Sequence, residues 1–221
     1  KKVLVIDKRD HIGGNCYCET DKQTGIECHK YGCHIFHTSV KNVWDYINRF
    51  SEFNGYKHKV LITSKSKVYS MPVNLATINS YYNLNLTPSE AESLLKKERI
   101  KIKNPRNFEE KAVSLIGWGL YETLIKNYTV KQWGTEPKNL PAEIITRLPV
   151  RTNYNDNYYY DIYQGIPVEG YTKLLRKILT HRNIEVKTSV DYYDISEKIP
   201  KDCKIIFTGT LDKLFGYKYG R

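Results

Sequence analysis

Nowhere in its 221 residues does the chain hold an apolar run approaching the roughly 20 residues that a membrane-crossing helix needs. The opening stretch, KKVLVIDKRD, sets a basic pair before an apolar run of about five residues, short of the roughly seven to fifteen of a secretory core. The expectation is a cytoplasmic protein without membrane insertion. A disulfide framework is also missing: Cys16, Cys18, Cys28, Cys33 and Cys203 are odd in number and irregular in spacing, which leaves free thiols. No internal repeat or low-complexity tract occurs, and 40% hydrophobic with 27% charged residues is too balanced for a disordered chain.

What is abundant is positive charge and tyrosine. Thirty-five basic against 24 acidic residues leave a net charge of +11, which favours an anionic partner: nucleic acid, a phosphate-bearing small molecule or a membrane surface. The basic residues are scattered and no DNA- or RNA-binding signature is present, so no nucleic-acid partner is expected. Nineteen tyrosines suit stacking on bases and on the C–H faces of sugars.

Along the chain, 3–6 reads as a strand of the buried parallel type, closed by Asp7 and followed by Gly13 and Gly14. Val40, Val43, Trp44, Ile47 and Phe50 recur at helical spacing and predict an amphipathic helix over 39–50. KVLITSKSKVYSMP predicts two short strands around the turn Ser64, Lys65, Ser66. Thr87, Pro88 and Glu90 form a capping signature for one helix. A second helix is expected after Asn107, ending at Gly117, and a third over about 120–128. NYNDNYYYDIY is strand-like, Leu174, Leu175, Ile178 and Leu179 mark a further helix, and IEVKTSV and CKIIFTG read as strands. The order predicts an α/β (α+β mixed) protein with interleaved domains.

The decapeptide CHKYGCHIFH raises the question of a metal. Cys28 with Cys33, and His34 with His37, have ligand-like separations, but both pairs are compressed into one short stretch with no second knuckle, which weighs against zinc. The competing reading is a glycine-bearing loop that brings His34 against a cofactor, with His37 packed and hydrogen-bonded in the core.

In a dinucleotide fold an acid about 20 residues after a Gly-rich turn binds the ribose hydroxyls, and VLVID fits that strand with Asp7 as the acid. The sequences VLVIDKRDHIGGN, HKYGCHIFHT, LIKNYTVKQWG, LPAEIITRLPVR, NYYYDIYQGIPVEGYTKLL and IIFTG, in this order, together resemble the UDP-galactopyranose mutase family. The resemblance covers the middle of that family, with the phosphate-binding glycine turn and a C-terminal part not matched. It implies a partial FAD-binding Rossmann-like domain over 1–54 and 165–213, an inserted helical substrate domain over 75–143, and an antiparallel sheet region over 55–74, 144–164 and 214–221.

The implied activity is a non-redox isomerisation of UDP-galactopyranose and UDP-galactofuranose through a flavin N5–sugar adduct, with FAD in its reduced form as covalent catalyst. By motif position, Asp7, Arg9, Gly13, Gly14, Asn15, His34, Thr208 and Gly209 would hold the cofactor, His34 lying beside the flavin ring. Arg147 would clamp the leaving diphosphate, with Arg147 and His34 as the catalytic pair. Tyr128 would stack on uracil beside Thr129, Trp133 would line the cleft and Tyr158 would bond the diphosphate; no metal is implied. His58 stands where relatives place an asparagine, which departs from the pattern. The partners implied are UDP-galactose in both ring forms and UDP, and the charge is compatible with a monomer and with a homodimer alike. Other readings are an amine-oxidase-like flavoprotein and a non-catalytic UDP-sugar binder.

Overall fold

The computed structural model describes residues 1–146 and 149–220. They divide into two compact units: Lys1–His34 together with the chain from Glu169 onward, and Ile35–Val168, which is inserted into the sequence of the first. In chain order the first stretch holds β1 (Val3–Ile6), β2 (Cys18–Thr20) and β3 (Glu27–His29). The inserted unit holds β4 (Phe36–Thr38), α1 (Lys41–Ile47), β5 (Val60–Ser64), β6 (Lys67–Met71), α2 (Leu75–Tyr82), α3 (Pro88–Glu98) and α4 (Phe108–Leu120). It continues through a π-helical turn (Tyr121–Lys126), α5 (Asn127–Trp133), α6 (Glu143–Thr146) and β7 (Tyr163–Gly165). The return to the first unit holds α7 (Tyr171–Leu179), β8 (Ile184–Lys187), α8 (Tyr192–Ile195) and α9 (Leu211–Leu214).

In the first unit β1 and β8 pair in parallel, Val3 opposite Ile184 and Ile6 opposite Lys187, with α7 in the segment leading into β8. Parallel neighbours need such a helical crossover, because a tight turn can join only antiparallel strands. The run 3–6 was expected to be buried, yet Val3 is 47% and Leu4 49% exposed. Among the described residues the sheet has two strands, so β1 is covered less than a central strand would be. Thr172 ties α7 to β2: its hydroxyl accepts from Cys18 N at 2.9 Å and donates to Cys18 O at 2.6 Å, and its N–H donates to Cys18 Sγ at 3.3 Å.

The inserted unit contains the main core, where Leu75 and Ile78 of α2, Leu95 of α3, Ile116 and Leu120 of α4 and Tyr69 of β6 meet. Local chemistry sets the helix starts. Thr87 and Glu90 form the reciprocal box at α3, each bonding the other's backbone N–H, and Asn107 caps α4 by accepting from Glu110 N. The expected stop at Gly117 is a break instead. Gly117 adopts φ 76°, ψ 169°, and helical geometry resumes as far as Leu120. A Cβ there would lie 2.6 Å from the carbonyl oxygen of Glu98, so glycine allows α3 and α4 to touch through their backbones. The hairpin of β5 and β6 turns at Lys65 and Ser66, both with positive φ as a tight two-residue connection requires.

Three further sequence expectations change. The helix over 39–50 is shorter, and Val40 and Val43 face solvent, because Trp44 supplies the packing against Phe36, Phe53 and Tyr163. NYNDNYYYDIY forms turns, and only Tyr163 enters a strand, β7, which pairs antiparallel with β4. CKIIFTG is irregular and Ile205 and Ile206 are exposed; its apolar run finds no neighbouring ladder among the described residues.

Candidate functional site

Asp7 directly follows β1, held by backbone bonds on both sides: its N–H donates to Lys187 O at 3.0 Å and its carbonyl accepts from Val190 N at 3.0 Å. The carboxylate accepts from Arg9 N at 3.0 Å through Oδ1. The Arg9 guanidinium donates to Asn15 Oδ1 at 2.7 Å and lies 4.3 Å over the Tyr31 ring, while its Nη1 is buried without a hydrogen-bond partner. Between Asp7 and Asn15 the chain turns on Gly13, φ 93°, and Gly14, φ 54°. A Cβ on Gly13 would press to 2.9 Å from Leu175 of α7, whereas Gly14 faces open space. Asp7, Arg9, Gly13, Gly14 and Asn15 thus belong to one loop at the carboxyl end of a parallel strand, where dinucleotides bind in open α/β sheets. An orphaned Arg9 N–H, a carboxylate and a bare glycine backbone fit a ribose and phosphate handle.

His34 belongs to the same unit. Its backbone N–H donates to Nδ1 of His29 at 3.1 Å, and its own Nδ1 lies 2.9 Å from Gly32 O. A carbonyl can only accept, so Nδ1 of His34 carries a proton and Nε2 is the nitrogen left for other partners. Burial, and then the neighbouring His34 imidazole, hold the His29 ring below the usual histidine range. Thr208 and Gly209 lie on the exposed irregular segment before α9; Gly209 abuts the Phe207 ring, which packs on Tyr192. Among the described residues no group of three or more His, Cys, Asp and Glu side chains converges as a metal site, and the cysteines are unbridged.

In the inserted unit α5 carries three of the expected nucleotide contacts. Tyr128 is 65% exposed and Trp133 is also open to solvent, at the helix end where Gly134 turns left-handed. Thr129 is 3% exposed and its hydroxyl donates to Ile125 O at 2.9 Å, so in this conformation the side chain serves the helix. Tyr158 is half-buried; its N–H donates to His58 O at 2.9 Å and its ring meets the His58 ring edge-on, centroids 5.4 Å apart. Arg147 lies outside the described residues.

Two features escaped the sequence. His37, expected in the core, is partly exposed, stacks on Tyr159 at 3.7 Å and bonds Asp161 at 2.6 Å through Nδ1. Ser39 donates to the same carboxylate at 2.7 Å, and these two bonds, Ser39 first, hold Asp161 below the usual carboxylate range. Arg151 is buried and donates to two backbone carbonyls, Asn155 O at 3.0 Å and Asn157 O at 2.6 Å. No spacing rule could have found either, since 122 to 124 residues separate His37 and Ser39 from their shared partner and Arg151 bonds to main chain.

Comparison with known proteins gives the class first. Residues 1–50 match the profile of the NAD(P)-binding Rossmann-like domain, so the first unit begins as a dinucleotide-binding α/β protein does. Residues 123–221 match the profile of UDP-galactopyranose mutase. Over 99% of its length the chain is 44% identical to a dTDP-fucopyranose mutase of Escherichia coli and 43% identical to a probable UDP-galactopyranose mutase of Klebsiella pneumoniae. A crystal structure of reduced UDP-galactopyranose mutase matches 84% of this chain and 48% of that one with TM-score 0.62 at 15% identity, which shows a shared fold. Along its length the chain is thus similar to nucleotide-sugar mutases, and it spans 59% and 57% of the lengths of the two bacterial relatives.

Proposed function

We propose that the protein is a flavin-dependent pyranose–furanose mutase of nucleotide sugars, acting on UDP-galactose. The observation that carries this is a pair of separate provisions. The first unit supplies the Asp7, Arg9 and Gly14 loop at a parallel strand end, and the inserted unit supplies exposed Tyr128 and Trp133 with Tyr158. FAD, when bound and reduced, contributes a nucleophile to the anomeric carbon without net oxidation.

The residues of this chain do the rest. The second oxygen of Asp7 accepts from a ribose hydroxyl, and the orphaned N–H of Arg9 donates to cofactor oxygen, with Gly14 and Asn15 leaving the backbone approachable. Thr208 and Gly209 flank the cofactor where the chain returns. His34 sits by the flavin, its Nδ1 engaged by Gly32 O and its Nε2 left to face the cofactor. Tyr128 stacks on the base, aided by Thr129, Trp133 walls the sugar cleft, Tyr158 donates to the diphosphate, and Arg147 grips phosphate oxygens bidentately as UDP departs and returns. The five unbridged thiols suit a reducing, cytoplasmic compartment, and among the described residues no helix is long and apolar enough to cross a membrane.

A second reading has its own support. The E. coli relative at 44% identity is named for dTDP-fucose, so thymidine and 6-deoxy-sugar recognition is the alternative specificity. Purified chain, loaded with FAD and reduced, is to be incubated with UDP-galactofuranose and with dTDP-fucofuranose under anaerobic conditions. Conversion of the first without consumption of reductant supports the mutase of UDP-galactose; preference for the second selects the alternative. Arg147→Ala should cripple turnover far more than Arg106→Ala, and equal losses would remove Arg147 from its role.

A further inference from the structure

Between Arg151 and Ile162 the chain forms neither helix nor strand, yet it is fastened at several points. Arg151 N donates to Val73 O and Leu75 N donates to Asn153 O, each at 2.9 Å. Lys59 pairs with Asp156 at 3.0 Å, and Tyr158 N meets His58 O. Two successive Asx turns, Asn155 N to Asn153 Oδ1 and Asn157 N to Asn155 Oδ1, each at 3.0 Å, curl the strap. Its carbonyls at Asn155 and Asn157 converge on one nitrogen, Nη1 of Arg151.

Arg151 is 6% exposed, with the Tyr160 ring 4.5 Å over its guanidinium. Among the described residues it makes no ion pair, and its Nε and Nη2 are buried without hydrogen-bond partners. A buried cation without a counter-charge is expensive to keep, and a protein that needed only a cross-link could make it with an uncharged amide. Buried groups left unsatisfied in this way concentrate where function requires them. The next residue after the clamped carbonyl of Asn157 is Tyr158.

We infer that Arg151 is a positioning residue for the diphosphate subsite. It fixes the strap so that the Tyr158 hydroxyl is presented to the diphosphate, and it leaves uncompensated positive charge beneath that subsite. The inference rests on the reading of Tyr158 as a diphosphate contact.

The test compares UDP with uridine, which keeps the base and lacks the phosphates, by titration calorimetry on the purified chain. Arg151→Lys and Arg151→Met should each weaken UDP binding roughly tenfold or more and leave uridine binding within about twofold. In the Tyr158→Phe background, Arg151→Lys should add little further loss. Unchanged UDP affinity, equal losses for UDP and uridine, or full additivity with Tyr158→Phe would overturn the inference. Wild-type chain that binds neither ligand would sink the nucleotide-sugar reading and this inference with it, whereas unchanged Arg151 variants beside a UDP-binding wild type would sink only the latter. Because Arg151→Met could unfold the strap, a measurement on the wild type stands beside it: the Nε–H resonance of Arg151 should shift with UDP and stay still with saturating uridine. A resonance indifferent to both ligands, or moved equally by both, would also overturn it.

Discussion

The backbone N–H of His34 donates to Nδ1 of His29 at 3.1 Å, so the loop that carries the proposed flavin neighbour is latched by an imidazole that must stay neutral. Protonating His29 turns its acceptor into a donor and breaks the latch. Burial first, then His34, hold the His29 pKa down. The folded state therefore binds this proton less readily than the unfolded chain does. The stabilisation is present above the usual histidine value of about 6.5 and is lost as pH falls from there through the folded pKa. Chemical-denaturation midpoints of the wild type should decline over that range, and His29→Gln should flatten the decline. An unchanged slope in the variant would refute the latch.

Asp7 and Arg9 should govern cofactor retention without governing fold. Asp7→Ala is expected to lower the flavin absorbance co-purifying with the chain, or the affinity for added FAD, with a thermal midpoint close to wild type, because the carboxylate makes a single local bond to Arg9 N. Equal flavin content in both proteins would remove Asp7 from the site.

Tyr128 projects from α5 with 65% of its surface open, so its removal takes away little packing. Tyr128→Ala should weaken UDP binding by roughly five- to a hundredfold, the equivalent of about 1–3 kcal/mol for base stacking on an aromatic ring. Calorimetry with uridine should show the same loss, in contrast to the Arg151 variants, since the base is the shared contact. A variant that binds both ligands normally would place the base elsewhere.

Two glycines of positive φ should respond differently to alanine. At Gly117 the new Cβ meets Glu98 backbone at 2.6 Å, and α3 cannot move away without opening the core around Leu95 and Ile116. Gly117→Ala should cost roughly 2–4 kcal/mol. Gly134, φ 65°, has nothing within 4 Å, so Gly134→Ala should cost only the left-handed penalty of about 1–2 kcal/mol. Urea midpoints that rank the two in the opposite order would contradict the close approach of the two helices.

Residue chemistry acting over a few positions was decided by the sequence itself. The Thr87–Glu90 box, the Asn107 cap and the strand over 3–6 closed by Asp7 all follow from short-range bonds and periodicity and are found where those rules put them, and of the turn expected at Ser64, Lys65 and Ser66 the last two residues form it while Ser64 ends β5. The same holds for the six ordered blocks that resemble the mutases, because motif identity needs no coordinates.

What depended on distant partners was decided only by tertiary structure. Val3, Val40 and Ile206 look like core residues in sequence and are exposed, since an apolar pattern states which face could be buried and not whether anything covers it. Asp161 became the shared acceptor of His37 and Ser39 through the pairing of β4 with β7. Arg151, one of 35 basic residues and unremarked in sequence, became a buried clamp because the two carbonyls it holds belong to backbone, whose hydrogen-bonding needs are the same for every residue type and so leave no mark in the sequence.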